Sequence, residues 1–218
     1  MTSHGHIFSS NEIELANGRP FNPAHPNHHM VDAETIAHSL SNQCRFGGHC
    51  SSFYSIAEHS VLVASKLRRL GAPLSLQHAG LFHDAAEALN GVGDVQRPAK
   101  GLLDHAYRER ERKLDQTVWR SVAWPDKARE PLWQTAQLHD DLLKRVDVWA
   151  VLFEASILMG SEGQGWEQTV DDAYEAAVAI PDHDDDRIEC WSPATARRIY
   201  LDLHRRLVHE TYGWAVAA

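Results

Sequence analysis

His83, Asp84 and Asp147 are chemically out of place in their surroundings. His83 and Asp84 are flanked by Leu81, Phe82, Ala85, Ala86, Ala88 and Leu89, and Asp147 lies between Val146 and Val148 in the segment RVDVWAVLF. Burying an unpaired carboxylate costs several kcal/mol, so each aspartate calls for a cation beside it. Taken singly, each residue has a plain explanation: a core histidine bonded to a backbone carbonyl, or Asp147 paired with an arginine such as Arg45. Taken together with His59 on inward helix faces, they favour one shared divalent metal. Mixed imidazole and carboxylate ligands suit Mn, Co, Fe, Ni or Zn better than Mg or Ca. Four protein ligands leave octahedral positions for water and a phosphate oxygen, the arrangement of metal-assisted phosphate hydrolysis. Glu87 follows His83 by one helical turn, facing the same pocket, where it can handle a proton; a surface salt bridge is the competing role.

The dipeptide His-Asp also occurs at 139–140 and 183–184, and about one occurrence is expected by chance, so context must choose among them. His183 falls in the acidic run PDHDDD, which reads as a solvated turn, and His139-Asp140 is followed by Asp141, Lys144 and Arg145, the wet side of a helix.

The elements that must carry these residues are mostly helices. A small hairpin is predicted over residues 12–21, with Asn17-Gly18 as a two-residue turn. NPAHPNHH is a loop. Asp32 caps a helix ended by RFGGHC. Ser55 and Glu58 form a capping box opening a helix with Ile56, Val63, Leu67 and Leu70 on one stripe, His59 among them. Ser75 caps a helix that runs through His83 to Leu89, and GVGDVQRPAK follows as a loop. Further helices are predicted at 102–121, 130–159, 166–179 and 193–210, the last with Ser192 as cap and Pro193 in its first turn. Breaks fall at 161–165 and 181–186. No repeat divides the chain, so the expectation is residues 1–31 as hairpin and loop and 32–218 as one helical domain.

Composition narrows the partners. A formal charge of −9, from 21 Lys and Arg against 30 Asp and Glu, repels a long polyanion, so polymeric nucleic acid is not expected. A small phosphorylated ligand needs only a local metal or a few cations. Three cysteines without CxxC spacing argue for a reducing compartment and against a disulfide framework. No run of about eighteen apolar residues and no export-type leader is visible, so a cytoplasmic protein without a membrane role is expected.

The order EHS at 58–60, HDAAEAL at 83–89, GD at 93–94 and the isolated Asp147 in KRVDVWAVLFE resembles the HD-domain phosphohydrolases. The stretch from DAETIAHSLSNQCRFGGHC to IAEHSVLVAS is similar to the compact branch that holds bacterial 5′-deoxynucleotidases and, more closely, phage dATP triphosphohydrolases. The match covers roughly residues 18–155. It implies His59, His83, Asp84 and Asp147 as metal ligands, Glu87 and Asp94 as residues positioning the attacking water, and Arg45 as a phosphate contact. NGVGD places Asp94 two residues further from Glu87 than the deoxynucleotidase pattern. Phe46 can pack on the sugar and sense a 2′-hydroxyl, while Arg97, Lys100 and Lys144 can neutralise further phosphates. The expected activity is hydrolysis of a deoxynucleoside triphosphate such as dATP to nucleoside and triphosphate, with a second Mg ion allowed on the substrate phosphates. Removal of phosphate from deoxynucleoside monophosphates is the alternative; a nucleotide-sensing or scaffold protein is a third reading. A homo-oligomer is expected.

Overall fold

The computed structural model describes residues 8–100, 102–103, 105–122, 140–166 and 174–212. Asn17 and Gly18 close the predicted hairpin, with Ile13–Glu14 (β1) antiparallel to Pro20–Phe21 (β2) in the register Ile13↔Phe21 and Glu14↔Pro20. The turn is longer than two residues. The Leu15 N–H donates to the Arg19 carbonyl at 3.0 Å, so Ala16, Asn17 and Gly18 form the loop, with Gly18 left-handed at φ 76°. A three-residue loop with glycine in that position preserves the twist of the flanking strands. The Asn17 side chain donates to Asp32 Oδ2 at 3.1 Å, tying the hairpin to the first helix.

The other regular elements of the described chain are helices. Asp32 Oδ1 accepts from the Thr35 N–H at 2.7 Å and opens α1 (Ala33–Asn42). Ser55 Oγ accepts from the Glu58 N–H at 3.1 Å and opens α2 (Ile56–Arg69). Only half of the predicted capping box forms. Glu58 turns away and accepts the N–H groups of Glu189, Cys190 and Trp191 at 2.9, 3.0 and 2.7 Å, anchoring a segment far along the chain.

Two expectations are corrected near the His-Asp pair. Helix α3 (Leu74–Phe82) starts after Pro73 rather than at a Ser75 cap, and it stops before Leu89; a separate 3-10 turn covers Ala85–Ala88. The stretch expected to be pure loop contains a helical turn, α4 (Arg97–Lys100). There follow α5 (His105–Val122), α6 (Asp140–Leu158), α7 (Tyr174–Val178) and α8 (Pro193–Tyr212), the last opened by Ser192 as predicted. The early parts of the helices expected at 130–159 and 166–179, His139 included, lie outside the described residues, as does the side chain of Asp140.

Helix α2 is the hub, packed against α1, α3, α6 and α8. A hub helix is buried on nearly every side, so its polar residues need internal partners. Lys66 has no exposed surface, lies over the Trp149 ring at 3.8 Å and donates to Asp186. Arg69 donates to the same carboxylate. The acidic run at 181–186 is therefore docked at Asp186, not simply a solvated turn, although His183 itself is exposed. Where α3 crosses α2, a β-carbon on Gly80 would stand 2.5 Å from Leu67 and 3.3 Å from Val63, so glycine lets the two backbones approach. That approach brings His83 to His59.

Candidate metal centre

Three helices and one break supply the centre. His59 lies on the first turns of α2, His83 at the C-terminal cap of α3, Asp84 immediately beyond, and Asp147 in the middle of α6. The break after Phe82 frees the chain to present adjacent residues to one point, which a continuous helix would splay by about 100°. His59 Nε2 lies 3.2 Å from His83 Nε2, 3.5 Å from Asp84 Oδ2 and 3.2 Å from Asp147 Oδ1. His83 Nε2 lies 3.4 Å from Asp84 Oδ2 and 3.5 Å from Asp147 Oδ1. Ligand bonds of about 2.0–2.3 Å around one first-row ion imply ligand-to-ligand edges of about 3–3.5 Å, so His59, His83 and Asp84 could hold such an ion, with Asp147 Oδ1 beside both imidazoles. The side chains of Asp84 and Asp147 retain 21% and 28% exposure while His59 retains none, so the centre opens on its carboxylate side.

The partners behind the ligands fix which ring nitrogens face the centre. His83 Nδ1 lies 2.7 Å from the Gly80 carbonyl, which can only accept, so Nδ1 carries the proton and Nε2 presents a lone pair. His59 Nδ1 lies 2.6 Å from Glu154 Oε1, which enforces the same orientation. Two lone pairs facing each other at 3.2 Å repel unless a proton or metal ion lies between them. The electrostatics agree. Burial alone would lower His83, but the carboxylates of Asp84 and Asp147 raise it to about 9. Burial would raise Asp147, yet when the two imidazoles also carry a proton on Nε2, hydrogen bonds from His59 and His83 hold it well below the usual carboxylate range. Asp84 is likewise lowered against its burial by His83 and His59. The raised histidines and lowered aspartates together favour positive charge at this cluster.

Glu154 was not singled out from the sequence, and it organises the back of the site. Fully buried, it accepts from Arg45 Nε at 3.1 Å and Tyr54 Oη at 3.0 Å besides holding His59. It lies seven residues after Asp147, on the same face of α6, and the clue was the one that exposed Asp147: a carboxylate within VLFEAS. Arg45 is the expected cation, buried between Glu154 and Asp84, with Nη1 at 3.4 Å from Asp84 Oδ2. It does not pair directly with Asp147 among the described ion pairs.

The other expected site residues divide. Glu87 lies in the 3-10 turn, 7% exposed; its Oε1 is 3.5 Å from Lys100 Nζ and its Oε2 has no hydrogen-bond partner. Burial, then Asp84 and Asp94, pushes Glu87 up to about 9. Burial also raises Asp94, whose field is shared with Arg45, Asp84 and His59, so Asp94 does stand at the site. Lys100 is engaged, held between Glu87 and Glu111, the latter at 3.0 Å. Phe46 is 7% exposed and packs with Tyr54, Leu158 and, edge-to-face at 5.6 Å, Trp166, so its ring belongs to a small side core. Lys144 is exposed on α6, and the side chain of Arg97 lies outside the described residues. Helix α5, not singled out from the sequence, brings Glu111 to Lys100 and Asp115 into the field of Asp84 and His83. Burial, with Glu111 and Asp84, raises Asp115 to about 7. Their alternation with Arg and Lys in HAYRERERKLD masked them as an ordinary solvated face.

No helix among the described residues is long and apolar enough to cross a membrane. No family model matches the chain. It is similar to the uncharacterized protein YfdR of Escherichia coli K12, with 34% identity over 131 residues that make up 60% of this chain and 66% of YfdR. It is also similar to the uncharacterized protein RCAP_rcc00048 of Rhodobacter capsulatus, with 27% identity over 137 residues, 61% of this chain and 69% of that protein. The chain thus spans just under two thirds of the length of YfdR.

Proposed function

We propose that the chain is a metal-dependent phosphohydrolase acting on deoxynucleotides. The observation that carries this reading is the convergence of His59, His83, Asp84 and Asp147, with both histidine Nε2 atoms turned to one point at first-row ligand spacing. A divalent ion held there would polarise a phosphoryl oxygen and lower the pKa of water. Arg45, 3.4 Å from Asp84 and locked by Glu154, is placed to orient a phosphate oxygen at the edge of the centre. Glu87 keeps one carboxyl oxygen unengaged beside Asp84, the position for passing a proton to or from the reacting oxygens. Asp94, in the field of Arg45, Asp84 and His59, is a second carboxyl that can hold the water.

The length of the phosphate tail turns on Lys100. A triphosphate carries about four negative charges and needs several unengaged cations beyond the metal. Lys100 is already shared by Glu87 and Glu111. This favours the deoxynucleoside monophosphate over dATP. The triphosphate reading would rely on Lys144, Arg97 and Mg carried on the phosphates themselves.

The test is to load the protein with Mn or Co, incubate it with dATP, dAMP, ATP and AMP, and separate phosphate, pyrophosphate and triphosphate. Phosphate from dAMP supports the monophosphate reading, and triphosphate from dATP restores the longer tail. Stoichiometric metal with no product from any of the four overturns hydrolysis in favour of nucleotide sensing.

A further inference from the structure

Two of the three cysteines meet at the loop that delivers Arg45. Cys44 Sγ and Cys50 Sγ are 3.5 Å apart, and Cys50 Sγ also lies 3.7 Å from the Arg45 carbonyl. The proximity is held from both sides of the loop. Cys44 pairs with Ser55 in an isolated bridge, flanked by Arg45 N–H to the Tyr54 carbonyl at 2.8 Å and Ile56 N–H to the Gln43 carbonyl at 3.1 Å. On the returning limb, the Ser51 N–H donates to the Leu158 carbonyl at 2.8 Å, at the end of α6. Between the sulfurs run Arg45, Phe46, Gly47, Gly48 and His49, with Phe46 left-handed at φ 56° and both glycines at positive φ. Both thiols are half-buried, open enough for a small oxidant.

We propose that Cys44 and Cys50 are a modification site: they form a reversible disulfide that staples the Arg45–His49 loop. A disulfide needs a sulfur separation of about 2.05 Å, so the thiols must close by about 1.5 Å, within reach of side-chain rotation when the backbone limbs already face each other. With a peroxide as oxidant the step balances. The Cys44 sulfur takes one peroxide oxygen and water leaves; the Cys50 sulfur then bonds to Cys44, the S–O bond breaks, and the departing hydroxide takes the Cys50 proton as a second water. Two thiols are oxidised by two electrons and the peroxide is reduced by two. Burial and the neighbouring Cys44 thiol push Cys50 up to about 11, which makes it the resolving partner rather than the sulfur first oxidised. Such a transient bond is compatible with a reducing compartment, where disulfides act as signals rather than as scaffolding. The consequence falls on Arg45, because the staple closes the loop that carries it and so restrains its backbone from swinging away from Glu154 and Asp84.

The test uses the full chain, reduced or treated with hydrogen peroxide, then alkylated and peptide-mapped without reductant. The expected product is one intramolecular link between the peptides holding Cys44 and Cys50, with Cys190 alkylated, reversed by dithiothreitol. Amide exchange over residues 45–49 should slow by about tenfold in the oxidised form, as expected when a loop loses its local opening, and not elsewhere. Cys50→Ser should abolish both the link and the slowing. A link from Cys44 to Cys190, a link between two chains, oxidation to sulfinic acid without any link, or a Cys44–Cys50 link that leaves exchange at 45–49 unchanged would overturn the proposal. None of these outcomes depends on whether the chain hydrolyses nucleotides.

Discussion

Helix α3 carries one member of each of two buried histidine pairs, and the pairs behave oppositely. His59 and His83 have ring centroids 5.1 Å apart and nitrogens at 3.2 Å; His78 and His204 have centroids 5.2 Å apart and nitrogens at 2.9 Å. All four rings are largely withdrawn from water. Burial alone lowers a histidine, and it does so for the second pair: His78 falls well below its ordinary value, with His204 adding to the effect, and His204 falls to about 4, with Arg205 adding to it. Phe82 packs on both of those rings, and Tyr200 packs edge-on to Phe82. Around His59 and His83, the carboxylates of Asp84, Asp147 and Glu154 reverse the sign. Two buried imidazoles in contact thus favour opposite protonation states: beside Asp84, Asp147 and Glu154 the pair is drawn toward positive charge, whereas burial dominates at His78 and His204.

The largest expected effect breaks the first pair's carboxylate support. Asp84→Ala or Asp147→Ala should abolish metal binding and metal-dependent turnover, read by metal analysis and product assay, whereas His204→Leu should leave metal content unchanged. Equal metal loss in all three would remove the distinction between the pairs.

The next effect is a pair of opposing pH slopes in chelator-treated protein. His204 is depressed from 6.5 to about 4, so its stability contribution is full above pH 6.5 and is lost as pH falls toward 4, on the order of 3 kcal/mol. His83 is raised from 6.5 to about 9, so its contribution is full below pH 6.5 and is lost as pH rises toward 9, of similar size. Urea melts across that range should show an acid limb that flattens in a His78→Leu/His204→Leu double variant, and an alkaline limb that flattens in His83→Leu. An unchanged acid limb in the double variant would sink this reading.

Smaller effects probe what supports the centre. Glu87→Gln should keep metal but slow hydrolysis by roughly a hundredfold, the usual range for losing a proton-transfer group; loss of metal would instead make Glu87 a ligand. Glu154→Gln should weaken metal affinity by about tenfold, because it removes the charge that orients His59 without removing a ligand. Equilibrium dialysis measures it, and unaltered affinity would show that packing alone holds the ring. The smallest effect is expected at Lys100. Because Glu87 and Glu111 hold it, Lys100→Ala should change kcat/KM for dAMP and dATP by similar factors, within about threefold of one another. A tenfold selective loss with dATP would return Lys100 to the triphosphate tail.

Much of this was legible along the chain. The caps at Asp32, Ser55 and Ser192 and the hairpin closed by Asn17 and Gly18 are local signals, set by groups within four residues of each other, and each appears where expected, the hairpin loop being one residue longer. The meeting of Asp84 and Asp147 with His59 and His83 was legible because a charged group in an apolar run is a local anomaly. The same anomaly at Glu154 was not legible as a site feature, because nothing in the sequence assigned it a partner.

What only the tertiary structure decided is who faces whom. Helical spacing fixes the phase of a residue around its own axis but not which neighbour that face meets, so the sequence could not say that Glu58 caps residues 189–191, that Asp186 meets Lys66, or that Lys100 is spent on Glu87 and Glu111. Nor could it place the break after Phe82, since the run Leu81 to Leu89 favours helix at nearly every position. Packing of Ala85–Ala88 against α1 and α5 ends that helix instead. The residue types that demand a cation were determined by the sequence alone. Their meeting within 3.2–3.5 Å was decided by the close approach of α2 to α3 at Gly80 and by α6 packing on both.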